Sequence, residues 1–328
     1  MSELTLTEDG LSFLEPIQAL LPEVRQYIRR HQPRNWPEMA PVLGPVADRP
    51  LGPLGMLPLA SCAAVGGDPR EAVPVAAAWV VLNLATRILD DVQDKDRVGA
   101  LWTQVGEARA FNFSGALLAL SAHMLASAPW SADTYRAITQ AYFDGVLHLA
   151  AGQDRDLQGQ TRTIEDYWRT IEAKNASVFA LACLAGALCG TSDQRLVRAC
   201  QTYGYHLGLA LQLFDDLEGL WEPSGLSDLA VGKITLPVIY GLSVEHVGRD
   251  ELRELVRRDD VAHCVGRVKS ILDAIHTRDF VVWAALQERD RAVAALAVCP
   301  GQAGVTALVG YATAIFAHVD SIVNTPVQ

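Results

Sequence analysis

The feature that most constrains this chain is a pair of apolar, helix-spaced runs, 69–95 and 193–221, each of which ends in adjacent aspartates. In the first, Asp90 and Asp94 stand four residues apart on one helical face with Asp91 beside them, so three carboxylates converge at the helix end. The polar stripe continues backwards through Arg87 and Asn83, while Val80, Val81, Leu84 and Ile88 keep the other faces apolar. In the second run, Gln212 and Asp216 share a face, Asp215 and Glu218 lie in the same turn, and Gly208 and Tyr205 sit further back. Carboxylates at a helix C-terminus oppose the macrodipole and repel each other, which points to a compensating cation. Two such ends on facing helices can pool their ligands into one multinuclear site. Asp259–Asp260 offers a contrast: two arginines precede it, no apolar run leads in, and it reads as a surface helix boundary.

The donor types narrow the ion. A di-iron bundle uses Glu-x-x-His pairs, and no glutamate here has a histidine three residues later. Carboxylates alone point to Mg²⁺, which keeps bound waters and binds substrate phosphates. Arg97 lies just past the first cluster, and Lys174 and Lys233 border apolar helical sequence, where a cation aimed at a bound anion belongs. With the two acid clusters these three make a candidate diphosphate clamp.

Around these runs the sequence is nearly all helix, since alternating strand patterns are almost absent. Helices are expected at 10–30, 53–66, 69–95, 102–128, 132–152, 164–190, 193–221, 235–243, 250–258, 261–295 and 302–322, with start signals at Ser131, at Thr163 with Asp166, and at Thr191 ahead of Asp193. The irregular segment is 32–53, where Pro33, Pro37, Pro41, Pro45, Pro50 and Pro53 mark a connector inside what reads as a single domain over residues 1–328. Half of the residues are hydrophobic and 20% charged, enough for a large core and contrary to disorder. A net charge of −11, from 38 acidic and 27 basic residues, argues against a nucleic-acid binder or a polybasic membrane anchor. Val73–Leu89 is interrupted by Pro74, Asn83 and Arg87 and reads as too short and polar to span a membrane. Cys62, Cys183, Cys189, Cys200, Cys264 and Cys299 are widely spaced and read as free thiols of a reducing compartment. MSELTLTEDG has no signal-peptide pattern, so a cytoplasmic protein is expected.

These residues resemble the trans-prenyl diphosphate synthase (polyprenyl synthetase) family of class I isoprenoid synthases. Asp90–Asp91–Val92–Gln93–Asp94 is similar to the family's first Asp-rich motif, DDxxD, and Gly208 through Glu218 to its second. The likeness extends to Gly66–Gly67–Asp68, Gly152–Gln153 with Asp156, Lys174, Ser227–Asp228–Leu229 and Gly232–Lys233–Ile234–Thr235–Leu236–Pro237, covering about residues 43 to 243. The resemblance implies an all-α bundle around a central apolar cavity, commonly a homodimer. It also implies three Mg²⁺ ions with bound diphosphate, held by Asp90, Asp91, Asp94, Asp215, Asp216 and Glu218, with Arg97, Lys174, Gln212 and Lys233 facing the diphosphate.

The departures from that pattern carry a functional expectation. Aligning the family's Gly-Lys-Arg-x-Arg-Pro element, which binds the diphosphate of the homoallylic acceptor, on Arg49–Pro50 puts Val46 and Ala47 where its Lys and Arg belong. The family's Arg-Arg-Gly after DDxxD is met by Arg97–Val98–Gly99, so the donor-side arginine is kept and the acceptor-side one lost. Gly219 stands where the second motif often has its last Asp. Donor ligands without acceptor ligands suggest that an allylic diphosphate is ionised and then attacked by its own double bonds, as in a terpene synthase. The small Ala85 and Thr86 below the first motif favour a C15 or C20 substrate. The alternatives are a prenyltransferase that uses isopentenyl diphosphate or another acceptor, and a non-catalytic subunit of a heteromeric synthase.

Overall fold

A computed structural model describes residues 15–49, 51–94, 99–159, 161–221, 227–258 and 260–316. As expected, the protein is all-α, with no strand among the described residues. The short α1 (Glu15–Gln18) leads into α2 (Leu21–His31), α3 (Met39–Ala47), α4 (Leu57–Ala64) and the long α5 (Val73–Asp94). After α6 (Leu101–Val105) come α7 (Glu107–Ala126), α8 (Ala132–Leu157), α9 (Ile164–Ile171), α10 (Ser177–Gly190) and α11 (Gln194–Trp221). Shorter helices follow as α12 (Leu236–Ser243), α13 (Arg249–Leu255) and α14 (Val265–Ala274), before α15 (Thr277–Ala295) and α16 (Gln302–Ile315) close the chain.

The start signals act as written at two sites: the Ser131 hydroxyl accepts from the Thr134 amide at 3.2 Å, and Thr163 and Asp166 form a reciprocal capping box. At α11 the cap shifts two residues, because the Asp193 carboxylate accepts from the Arg195 amide at 2.8 Å while Thr191 only supports Asp193. Several expected helices are divided. Gly106, at φ 84°, separates α6 from α7, a backbone angle that glycine adopts without a Cβ clash. His276, at φ 56°, separates α14 from α15. The proline-rich connector is more regular than its composition implies, since 39–47 is helical. Pro41 falls in the first turn, where no amide donor is needed, so only Pro45 removes a helical hydrogen bond.

The main core is continuous through α2, α4, α5, α7, α10, α11, α15 and α16. α11 packs between α10 and α15, and α5 against α7. The α4–α10 crossing is backbone-close: a Cβ on Gly186 would fall 2.2 Å from the Pro58 carbonyl oxygen. A smaller cluster of Leu220, Leu229, Val238, Leu252, Val268 and Leu272 consolidates α12, α13 and α14 beside the end of α11. By length and composition, Pro69–Asp94 and Ile164–Gly190 are apolar enough to cross a bilayer, contrary to the expectation for the first; 72% and 56% of their apolar windows are buried inside the protein. All six cysteines are free thiols. Burial pushes Cys62 and Cys183 up to about 12.

Candidate active site

The end of α5 presents its three aspartates with different exposures: Asp91 is buried, while Asp90 and Asp94 are half-buried. Each half-buried carboxylate holds a lysine from another element. Lys174 Nζ lies 3.1 Å from Asp90 Oδ1 and 2.8 Å from Asp156 Oδ2 of α8, and Lys233 Nζ lies 2.7 Å from Asp94 Oδ2. Gln153 Nε2 of α8 donates to Asp90 Oδ1 at 3.1 Å and to Gln93 Oε1 at 3.0 Å. Burial lowers the proton affinity of Lys174, but Asp90 and Asp156 outweigh it and hold the ammonium above its usual range. Burial raises the Asp94 carboxyl against the opposing pull of Lys233.

Lys174 gets there through a local irregularity. Between α9 and α10 the chain makes one π-helical turn, Glu172–Ala176, a form found mostly as single-turn bulges and often at functional sites. Adjacent residues of this turn reach the two acid clusters. Lys174 meets Asp90 at the end of α5, and Asn175 Nδ2 donates to Gln212 Oε1 of α11 at 2.6 Å.

On α11 the two aspartates separate in role. Asp215 and Glu218 are half-buried, whereas Asp216 is 1% exposed. Asp216 Oδ1 accepts from Gln212 Nε2 at 2.6 Å, and Oδ2 accepts from the Tyr167 hydroxyl at 2.7 Å and the Leu236 amide at 3.1 Å. Burial lifts the Asp216 carboxyl to about 7 despite these three donors, with Asp215 adding to the rise. Burial and the neighbouring Asp216 push the Tyr167 phenol well above its ordinary value.

The structure thus brings Asp90, Asp94, Lys174 and Lys233 into direct contact, joins Gln212 and Asp216 to them through Asn175, and leaves Asp215 and Glu218 on the half-buried face of α11. Two of the expected ligands are engaged by other protein groups. Asp216, expected among the metal ligands, has both oxygens occupied by protein donors and ties the start of α12 to α11. Gln212, expected to face the diphosphate, has both ends of its amide engaged by Asn175 and Asp216. Arg97 and Val98 lie outside the described residues. Tyr167 escaped the sequence reading because its partner is 49 residues away and its own helix carries an ordinary amphipathic pattern.

The candidate donors, Asp90, Asp91, Asp94, Asp215, Asp216 and Glu218, are all carboxylates, a donor type that fits Mg²⁺ rather than a softer ion, and among the described residues no three of them stand grouped as a preformed metal site. Positions 46 and 47 are apolar in space as well as in sequence: Ala47 is 3% exposed, and Val46 packs against the main core.

The polyprenyl synthetase family profile matches residues 54–275. A geranylgeranyl diphosphate synthase of Mycobacterium tuberculosis is 35% identical over 209 residues, which are 60% of this chain and 59% of that protein. The chain therefore spans about three-fifths of the length of this curated relative. Among solved structures, geranylgeranyl pyrophosphate synthetase from Pyrococcus horikoshii superimposes with a TM-score of 0.83 at 22% identity, covering 93% of this chain and 99% of that one. A polyprenyl synthase from Caulobacter crescentus, complexed with calcium and isoprenyl diphosphate, gives 0.80 at 22% identity over 94% and 98%. The profile's match over more than half of the chain, across both acid clusters, Lys174 and Lys233, makes this chain a member of the polyprenyl synthetase family.

Proposed function

We propose that the protein is a Mg²⁺-dependent prenyltransferase that ionises an allylic prenyl diphosphate and transfers the prenyl cation to the double bond of isopentenyl diphosphate. The observation that carries this is the meeting of Lys174 with Asp90 and of Lys233 with Asp94 at the end of α5. Its named relatives are prenyl diphosphate synthases, which favours transfer over the cyclisation expected from the sequence. Mg²⁺, when bound by Asp90, Asp91, Asp94, Asp215 and Glu218, would supply positive charge to the leaving diphosphate. Lys174 and Lys233 add fixed charge at its two flanks. The apolar face of α5 keeps water from the cation below.

The depth of that apolar space bears on chain length. Ala85 and Thr86 are small, but Trp79 stands 11 residues before Asp90, about 16 Å down the helix. Its indole Nε1–H donates to the Val178 carbonyl at 3.3 Å and its ring meets Phe179 edge-on. Around it, Leu82, Tyr142, Leu181, Ala182 and Ala185 leave a cavity of only about 10 Å³. A floor at Trp79 agrees with a C15 or C20 prenyl group.

The apolar Val46 and Ala47 favour a second reading, cyclisation without an acceptor. Incubating the protein with Mg²⁺ and C10, C15 or C20 allylic diphosphates, with and without isopentenyl diphosphate, separates the two. Longer prenyl diphosphates formed only with isopentenyl diphosphate support transfer; a hydrocarbon or tertiary alcohol formed without it supports cyclisation. We also propose a homodimer through α7 and α8. Phe111, Phe143 and Leu147 are 44%, 51% and 68% exposed there, beside a groove of about 340 Å³ lined by Ala119, Ala122, Tyr135 and Phe143.

A further inference from the structure

Far from the two acid clusters, the fold gathers sulfur. Cys62, Cys183 and Cys299 are near enough to act electrostatically on Cys200, and Cys62 on Cys189, although these residues come from α4, α10, α11 and the segment after α15. Along α11, Cys200 precedes Asp215 by 15 residues, about 22 Å of helix. Buried thiols ordinarily serve as small apolar packing groups. Cys62 and Cys183 fit that role, being fully buried and pushed up by burial.

Cys200 and Cys299 behave differently. Their side chains share a hydrogen bond across the seam between α11 and the segment that leads from α15 into α16. Cys200 is fully buried, whereas Cys299 is half-buried. The single proton of the Cys200 thiol has two acceptors, the Cys299 sulfur and the Ser61 carbonyl at 3.8 Å. Its hydrogen bond holds the Cys299 thiol below the usual value against partial burial, and the same bond together with burial raises Cys200.

Backbone contacts keep Cys299 in place. Its amide donates to the Leu296 carbonyl at 2.9 Å, closing the 3₁₀ turn Leu296–Val298 that packs on α11. Two residues further on, the Gly301 amide donates to the Ala64 carbonyl at 2.9 Å, and a Cβ there would fall 1.8 Å from the Ala63 carbonyl oxygen. The segment is therefore pinned to α4 on one side of Cys299 and to α11 on the other. Thiols close enough to share a hydrogen bond can be joined by rotation about their Cα–Cβ bonds.

We propose that Cys299 and Cys200 form a peroxide-sensitive thiol pair, in which a hydroperoxide oxidises Cys299 and Cys200 resolves the product as a disulfide. The Cys299 thiolate attacks one peroxide oxygen, the O–O bond breaks, and the other oxygen leaves and is protonated to water or an alcohol. The Cys200 sulfur then attacks the resulting sulfenic acid; the S–S bond forms, and the sulfenic hydroxyl departs as water with the Cys200 proton. Each sulfur gives up one electron and the peroxide takes both. The product ties α11 to the segment between α15 and α16 and closes a loop of about 100 residues, a long constraint on the unfolded chain.

The test treats the full chain with hydrogen peroxide without denaturant, blocks the remaining thiols with iodoacetamide, and maps the unreduced peptides by mass spectrometry. A Cys200–Cys299 peptide pair lighter by two hydrogens, and separated again by dithiothreitol, is expected. In Cys200→Ser the sulfenic acid has no resolving thiol, so dimedone should label Cys299; Cys299→Ser should lose the cross-link and leave Cys200 unlabelled. Peroxide that leaves Cys299 reduced, or carries it to the sulfinic acid while Cys200 of the unmodified chain stays a free thiol, overturns the proposal. A dominant cross-link between any other two cysteines does the same. Should Cys200→Ser fail to fold by circular dichroism, Cys200→Ala takes its place, and the peptide map of the unmodified chain decides by itself.

Discussion

Asp216 allows a sharp separation of hydrogen-bond pattern from charge. Replacing it by alanine removes the acceptor of three donors, of which the Tyr167 hydroxyl and the Leu236 amide belong to residues 4% and 0% exposed. Each buried donor left without a partner costs about 1–3 kcal/mol, so Asp216→Ala should lose about 2–6 kcal/mol before any cavity effect. Asparagine has the same shape, and its single oxygen can keep both of those donors. Its amide nitrogen then faces Gln212, which can turn to offer Oε1 and swing Nε2 towards Asn175. Asn175 can turn in the same way, because its Oδ1 is buried without a partner and can be brought round to accept. The three amides relay the change with no net loss of hydrogen bonds, and a carboxylate that burial already disfavours is gone. Asp216→Asn should therefore stay within about 1 kcal/mol of the unmodified protein. Urea denaturation followed by circular dichroism at neutral pH measures both variants. Equal, large losses would refute the relay and show that the charge itself holds α11 to α12. Mn²⁺ binding should likewise survive Asp216→Asn and fall with Asp215→Asn; the reverse order would return Asp216 to the ligand set.

Three further outcomes are expected. Trp79→Leu, which shortens the side chain at the floor of the apolar space, should shift products to longer prenyl chains on reversed-phase chromatography, and an unchanged product length would move the floor elsewhere. Gly186→Ala forces a methyl group to within 2.2 Å of the Pro58 carbonyl and should cost about 1–3 kcal/mol in urea denaturation; an unchanged midpoint would mean that α4 and α10 can separate freely. Phe143→Glu with Leu147→Glu should halve the mass seen by light scattering with helicity intact, whereas an undiminished mass would place the dimer interface off α8.

The parts of this protein that could be read from its sequence are those with local causes. Asp90 and Asp94 declare themselves by four-residue spacing after an apolar run, and Thr163 with Asp166 by a capping box that closes within one turn. Gly106 interrupts a helix for a reason visible in the residue itself, but His276 takes a left-handed backbone with no such signal. Glu172–Ala176 is equally silent: nothing in its composition distinguishes a π turn from the α-helix on either side, yet that turn sends Lys174 to one acid cluster and Asn175 to the other. Spacing identifies the face of a helix but not the depth at which that face lies. Asp215 and Asp216 look equivalent along the chain, and only Tyr167 and Leu236, 49 and 20 residues away, make Asp216 an anchor while Asp215 stays half-buried. Nor does spacing show that the Asp228 carboxyl group, nine residues further on, fills the space a side chain at Gly219 would take.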